Sequence, residues 1–175
     1  MAGNMRDYNI ALQAAEAGIR DAEQDITNQM NPNHRFCKSS GFAPDCGFTT
    51  AQTSDDGLCT NNGGYSPDVR TALTNGFCPT PPPNANIAVV CLPAIADPFN
   101  GPPSVVYGTF TGARPLPQVS AQPRYLIEAY QSPTQTAGNK IPFYYYRITV
   151  KAQGLNPATV VWLHSVFKIP NHSQC

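Results

Sequence analysis

The sequence has few charged residues and no long uninterrupted apolar run. Charged residues make up 13% of the chain, well below the quarter found in a typical soluble domain. No run of about 18 apolar residues occurs, so no membrane-spanning helix is predicted. Residues 1–8 also lack the apolar centre of a signal peptide. Disorder is not expected either, because aromatic residues make up 10% of the chain and its formal net charge is zero.

Signature motifs of common enzyme classes are missing as well. The chain has no G-x-S-x-G, no H-E-x-x-H and no glycine-rich phosphate loop. His164 and Ser165 imitate half of a serine–histidine pair, but neighbours on a strand point to opposite faces. His34 and His172 fall in a predicted loop and tail, where solvated histidines are ordinary. We therefore predict a non-enzymatic protein with no catalytic residue and no cofactor.

Two short patterns contain residue types that could bind a metal ion, but for both we favour an ordinary structural role without a metal. His34 lies three residues before Cys37, but no second spaced pair completes a zinc site. Residues 55–62 offer oxygen ligands at short spacing, which suits Ca²⁺. The residues concerned are Asp55, Asp56, Gly57, Asn61 and Asn62. Their spacing matches no EF-hand, and such a run is more often a turn, so no metal site is predicted.

Charges of opposite sign are concentrated in different parts of the chain. Residues 1–30 carry five acids and two bases, whereas residues 101–175 carry six bases and the single acid Glu128. A basic half could attract DNA. The excess is modest, and we favour an acidic helix and a basic sheet that complement each other within one fold.

The six cysteines are scattered among turn residues, and none forms a C-x-x-C pair. An even number in such a setting predicts three disulfides and an oxidising compartment. The candidates are Cys37, Cys46, Cys59, Cys78, Cys91 and Cys175. Sequence does not fix their connectivity. The simplest pairing joins Cys37 to Cys46 and Cys78 to Cys91, and it leaves Cys59 for Cys175.

Residues 1–30 predict one long helix. Strong helix formers dominate the segment, and small or apolar residues recur at alternating steps of three and four, which aligns them on one stripe. The expected core face consists of Tyr8, Leu12, Ala15, Ile19, Ala22 and Ile26, with Met5 ahead of them. Asp21 is expected on the exposed opposite side. The segment has no clear N-cap, which predicts that the natural helix starts further upstream.

The region from 31 to 122 is rich in turn residues and in proline, of which the whole chain has 18. Glycine and proline are strong breakers of regular structure. We expect a long loop region here, with short strands at 87–92 and 105–111, held together by disulfides.

Regular structure returns in residues 123–175. Three segments, 124–130, 143–151 and 159–168, are predicted strands, and the last two alternate with a period of two. Turn-like links between them predict an antiparallel meander. One helix followed by such a sheet is an α+β pattern, and we expect a single globular domain over residues 1–175.

Two ends of the sequence together resemble a known family. The helix carries "QAAEAGIRDAE", and the sheet carries "RYLIE" and "YYRITVKAQGLNPATVVWLHSVFK". In this order the segments resemble type IV pilins and, more narrowly, PilX-type minor pilins. The resemblance implies a pilin-like fold: a long N-terminal helix packed on an antiparallel sheet, with a disulfide-bearing loop region. It also implies an apolar half-helix and a cleaved leader, which we expect upstream of the given residues.

The same resemblance implies a function in a type IV pilus. A minor pilin is expected at or near the pilus tip, where it promotes assembly, twitching motility, adhesion and aggregation. Its expected partners are other minor and major pilins, a tip adhesin, and the inner membrane through the upstream half-helix. The expected location is the inner membrane and periplasm, and then the extracellular pilus.

Two alternatives remain open at this point. One is a pseudopilin of a type II secretion system, and the other is a free secreted disulfide-rich binding module. The residues encoded upstream distinguish them. About 20 apolar residues behind a short basic leader favour a pilin or pseudopilin, whereas a conventional signal peptide favours a free module.

Overall fold

One helix and five strands make up the regular part of the molecule. A computed structural model of the chain describes residues 2–27, 35, 42, 46–47, 56–60, 97–131 and 144–168. Within these residues the helix is α1 (Ala2–Thr27). The strands are β1 (Leu58–Thr60), β2 (Val105–Val106), β3 (Arg124–Gln131), β4 (Tyr144–Gln153) and β5 (Val160–Lys168). The predicted α+β class is confirmed.

The strands β3, β4 and β5 form the predicted antiparallel meander. The other edge of β3 is shared by two short strands. β1 runs parallel to β3, with Leu58 opposite Ile127, and β2 runs antiparallel to the start of β3, with Val105 opposite Tyr125. The sheet is therefore mixed, not wholly antiparallel as expected. A strand of three residues carries too little pattern to be recognised in the sequence.

The predicted strand at 105–111 is much shorter than expected. Only Val105–Val106 pair with β3, and the chain then turns at Gly108, which has a φ of 80°. Tyr107 N donates to Pro123 O (2.8 Å), so the turn stays attached to the residue before β3. The predicted strand at 87–92 lies outside the described residues.

The side of α1 that packs on the sheet is turned by roughly a quarter of a revolution from the predicted stripe. Its most deeply buried apolar residues are Ala11, Ala14, Ala15, Ala22 and Ile26. Leu12 and Ile19 pack against this core from its margin. Tyr8 is 51% exposed, so its placement in the core was wrong, and Met5 is 72% exposed.

A close approach at Gly18 explains this orientation. A Cβ atom added there would lie 2.7 Å from Val150 Cγ1 and 3.2 Å from Pro123 Cβ. Alanines above and below Gly18 keep the backbone of α1 close to β4. The longer side chains of Leu12 and Ile19 reach the sheet from the side of the helix. Small residues therefore select the contact face, and the larger apolar residues seal its border.

Asp21 also departs from expectation, because it is buried and not on the exposed side. Its side chain is 3% exposed. Its carboxylate accepts hydrogen bonds from Gly108 N (2.7 Å) and from the Thr111 hydroxyl. The polar residue is stable in this position since its burial is matched by hydrogen-bond donors from the turn after β2.

A second, smaller core covers part of the sheet face opposite α1, which we call the outer face. Phe99 packs edge-on against Trp162, with ring centroids 4.9 Å apart. The buried members of this core are Cys46, Cys59, Phe99 and Leu126. The sheet is thus covered on both faces in this region, which explains why Thr149 of β4 is fully buried despite facing away from the helix.

Replacing Gly18 with alanine is expected to destabilise the protein. In an exposed helix this change stabilises by about 1 kcal/mol, but here the new methyl group meets Val150 and Pro123. Overpacking of this kind costs about 1–3 kcal/mol. Gly3→Ala is the matched control, because nothing lies within 4 Å of a Cβ at Gly3. Denaturant unfolding of both variants tests this. Equal or higher stability of the Gly18 variant would contradict the close approach.

Candidate functional site

The last turn of α1 carries a buried carboxylate with a buried cationic partner. Asp25 is 0% exposed, and the Arg35 side chain is 2% exposed. Asp25 Oδ2 accepts from Arg35 Nε (3.0 Å), from Arg35 Nη2 and from Tyr125 Oη (3.0 Å). Asp25 Oδ1 accepts from Arg35 Nε (3.1 Å) and from its backbone N (3.3 Å). All of these partners are donors, as an ionised carboxylate requires.

The other side of the Arg35 guanidinium is satisfied as well. Nη1 donates to the backbone carbonyl of Asp56, and the guanidinium carbon lies 3.9 Å from the centre of the Phe110 ring. Burial, and then the charge of Asp25, raises the pKa of Tyr125 well above its ordinary value. Tyr125 therefore stays a neutral hydrogen-bond donor. The cluster is inaccessible to partners, and its role is structural.

One disulfide lies in the described residues, and it differs from the expected pairing. Cys46 is bonded to Cys59, with Cα atoms 4.1 Å apart. The predicted pairs of Cys46 with Cys37 and of Cys59 with Cys175 are therefore wrong. Gly57 N donates to Cys46 O (2.8 Å), which places Cys46 beside the start of β1. The proposed Cys78–Cys91 pair lies outside the described residues.

His164 and Ser165 do not form a catalytic pair. His164 Nδ1 lies 3.1 Å from Thr149 Oγ1 on the outer face, whereas Ser165 Oγ donates to Glu23 Oε1 (3.4 Å) on the helix face. No group of three or more histidine, cysteine or acidic residues in the described ranges could hold a metal ion. Of the calcium pattern, Asp56 and Gly57 are described, and the other three residues lie outside.

The N-terminal half of α1 is fixed to the β4–β5 hairpin by Asp7. Its Oδ1 accepts from Leu155 N (2.6 Å) and Asn156 N (3.3 Å). A hydrogen bond from the Thr159 hydroxyl has the largest effect on the pKa of Asp7 and lowers it. Burial raises the pKa by less than this, and the hydrogen bonds from the two amides lower it further. Gly154 leaves room for this contact, because a Cβ there would lie 2.7 Å from Asp7 Cγ.

Exposed apolar side chains gather at this end of the molecule. We call the set of Met5, Tyr8, Leu155 and Val160 the hairpin end. They are 72%, 51%, 53% and 37% exposed, respectively. Met5 and Tyr8 continue one side of α1, and Leu155 lies in the turn that Asp7 holds. Val160 begins β5 after this turn, on the outer face of the sheet. An apolar group of this kind is a candidate site of protein contact.

Of the four residues of the hairpin end, sequence analysis singled out only the two on the helix, and it expected them in the core. Met5 and Tyr8 were assigned to the core stripe, although they lie ahead of the part of α1 that packs on the sheet. Leu155 and Val160 were not singled out. The available signal was the leucine in "QGLNPA", since an apolar residue within a turn of glycine, asparagine and proline has no sheet face to occupy.

Comparison with known proteins identifies a family. The family model described as type IV pilus assembly protein PilX C-term matches residues 48–169, which is more than half of the chain. The chain therefore belongs to the PilX family of type IV pilus assembly proteins. No curated protein and no solved structure gives a significant match. The matched range includes all five strands and Cys59, and it begins two residues after Cys46, the disulfide partner of Cys59.

Family membership gives the general role of the protein. It is associated with type IV pilus assembly, it interacts with other pilus components, and its location is the periplasm or the pilus. The family is a structural component of the pilus, which is consistent with a non-enzymatic protein. The helix-on-sheet layout is compatible with a pilin-like fold. Among the residues described, no helix has the length and apolarity needed to cross a membrane.

Substituting Asp25 with asparagine should destabilise the protein strongly. The change keeps the shape but leaves the Arg35 charge buried without its counter-ion, which costs about 3–5 kcal/mol. Glu16→Gln is the matched control on the same helix, because the Glu16–Arg20 pair is exposed and separated by 3.7 Å. It should cost less than about 0.5 kcal/mol. Similar unfolding midpoints for the two variants would show that the buried pair contributes no more than a surface pair.

Asp7→Asn should reduce stability in a pH-dependent way. The pKa of Asp7 is lower in the folded protein, so its carboxylate stabilises the fold above the unfolded pKa of about 3.9. This contribution disappears as the pH falls through the lower, folded pKa. The stability difference between wild type and variant should therefore shrink from pH 7 to pH 3. A constant difference over that range would show that the charge of Asp7 does not hold the hairpin.

Proposed function

We propose that this protein is a minor pilin, incorporated at or near the tip of a type IV pilus. In this role it promotes pilus assembly and thereby supports twitching motility, adhesion and aggregation. The function is contact with other subunits, without chemistry. Family membership supports the general role. The hairpin end is the observation that supports a specific mode of contact.

The hairpin end suits subunit contact because it combines exposed apolar area with a fixed shape. Met5 and Tyr8 are one helical turn apart and lie on the same side of α1. Asp7, between them, binds the backbone of Leu155 and Asn156, so the helix and the hairpin keep their relative position. A surface that is already ordered loses little conformational entropy when it binds.

The proposal extends to the part of the helix upstream of the given residues. An apolar half-helix there would anchor the protein in the inner membrane, with the described domain in the periplasm. During assembly the same half-helix would pack among those of neighbouring minor and major pilins. Met5 and Tyr8 would then lie at the border between the fibre core and the globular domain. A tip adhesin is a further proposed partner.

The test replaces the two exposed helix residues in the full-length gene. A deletion strain is complemented with wild type or with the double variant Met5→Ser, Tyr8→Ser, and surface pili are counted by electron microscopy. Deletion should reduce piliation and adhesion, wild type should restore them, and the double variant should not. Stability should change by less than about 0.5 kcal/mol, because both side chains are largely exposed.

Val166→Ser is the matched control. Val166 is 63% exposed but lies near the other end of β5, so this variant should restore piliation. Full piliation with the Met5, Tyr8 double variant would contradict the contact at the hairpin end. Normal piliation and adhesion after deletion would contradict the minor-pilin role itself.

A further inference from the structure

The outer face contains an open cleft that no feature discussed above uses. It has a volume of about 370 Å³ and lies where residues 97–106, which end in β2, meet the beginning of β3 and the end of β4. Two cationic and three amide side chains line it, together with apolar groups. The polar residues are Asn100, Gln122, Arg124, Lys151 and Gln153.

The two cations of the cleft lie side by side on neighbouring strands. Arg124 is directly opposite Lys151 in the β3–β4 ladder, and like charges in this arrangement repel each other. Lys151 Nζ is neutralised by Asp97 Oδ2 at 2.5 Å. Arg124 donates from Nε to Ser104 Oγ (2.8 Å) and from Nη2 to Ser104 O, which are uncharged acceptors.

Arg124 therefore holds a positive charge that its contacts leave uncompensated. Within the described part of the chain, no carboxylate forms an ion pair with Arg124. Partial burial lowers the pKa of Arg124, and the charge of Asp56 acts in the opposite direction. Among the residues that line the cleft, together with Asp97, one net positive charge remains, and Asp56 is a nearby charge outside the lining. A monoanion matches this charge better than a dianion such as phosphate.

The hydrogen bonds of the cleft point to the same kind of ligand. Asn100 Oδ1 accepts from Lys151 Nζ (3.0 Å), so the NH₂ group of Asn100 remains to donate to a ligand. Gln153 Oε1 accepts from Ser120 Oγ (3.1 Å). The Gln122 amide uses both of its ends on the backbone of Leu116. The groups left to bind a ligand are therefore donors, which requires an acceptor-rich partner.

We propose that this cleft binds a carboxylate, presented by an aspartate or glutamate side chain of a neighbouring pilus subunit. A planar carboxylate can accept two parallel hydrogen bonds from a guanidinium, with Asn100 and Lys151 as additional donors. The choice of a pilus subunit as the carrier rests on the proposed function. The choice of a monoanionic carboxylate rests on the charges and hydrogen bonds of the cleft alone.

The first test uses the purified 175-residue chain and a small probe. Amide resonances are followed by NMR during titration with N-acetyl-glutamate N-methylamide, whose side chain is its only charge. Saturable shifts should map to the cleft, at Asn100, Val106 and Ala121, with a dissociation constant in the millimolar range. Arg124→Gln should weaken binding about tenfold or more, because a charge-assisted hydrogen bond is lost.

Arg114→Gln is the matched control, since it removes the same charge from an exposed arginine that does not line the cleft. This variant should bind like wild type, and the neutral glutamine analogue should not bind. Equal affinity of the R124Q and wild-type proteins, or equal binding of the neutral analogue, would overturn the proposal. Shifts outside the cleft in wild type would also overturn it, even if R124Q failed to fold.

Inorganic phosphate serves as the competing probe. If phosphate binds at the cleft more tightly than the glutamate probe, the assignment to a carboxylate is wrong.

A second experiment tests whether the carboxylate belongs to a pilus subunit. The full-length R124Q gene should restore piliation poorly in the deletion strain, and R114Q should restore it fully. Normal piliation with R124Q would overturn the assignment to a pilus subunit. The NMR result does not depend on piliation, so failure of this inference is distinguishable from failure of the proposed function.

Discussion

The buried pair of Asp25 and Arg35 is the contact that joins several irregular positions of the chain to the helix and the sheet. Desolvation of two charges costs several kcal/mol per ion, and this cost is offset only when the remaining donors and acceptors are satisfied. Tyr125, the Asp56 carbonyl and the Phe110 ring complete the environment here. The pair thereby joins the last turn of α1 to β3 and to positions 35, 56 and 110, none of which lies in a helix or strand.

Carboxylates bound by donors within the fold recur in this chain, although it has few charged residues. Several carboxylates are bound internally, either to backbone amides and hydroxyls or to a cation from a distant segment. They are Asp7, Asp21, Asp25, Asp97 and Glu128. The carboxylates of α1 bind backbone amides, hydroxyls and Arg35, which lies outside the sheet, so these contacts do not provide the expected pairing of an acidic helix with a basic sheet. Arg124 stands out because its partners are neutral.

Sequence patterns predicted the parts of the fold that local periodicity determines. The alternation in β4 and β5 was sufficient for the meander, and helix-forming residues were sufficient for α1. The contact face of α1 was not predictable in this way. It depends on Gly18 meeting Val150, which lies 132 residues further along the chain, and the same is true of Asp21, whose partners follow β2. The disulfide was mispredicted for the same reason, because β1 brings Cys59 to Cys46.

The candidate site is set by the same long-range contacts. The turn of the β4–β5 hairpin is recognisable in the sequence, but nothing in it reveals that Asp7 will bind its amides. Once that contact exists, the positions of Leu155 and Val160 relative to Met5 and Tyr8 follow from it. The carboxylate of one helix residue thus holds the turn that carries Leu155 against the end of α1 that carries Met5 and Tyr8. An ordered surface can discriminate among partners, because a wrong neighbour cannot be accommodated by a shift of the hairpin.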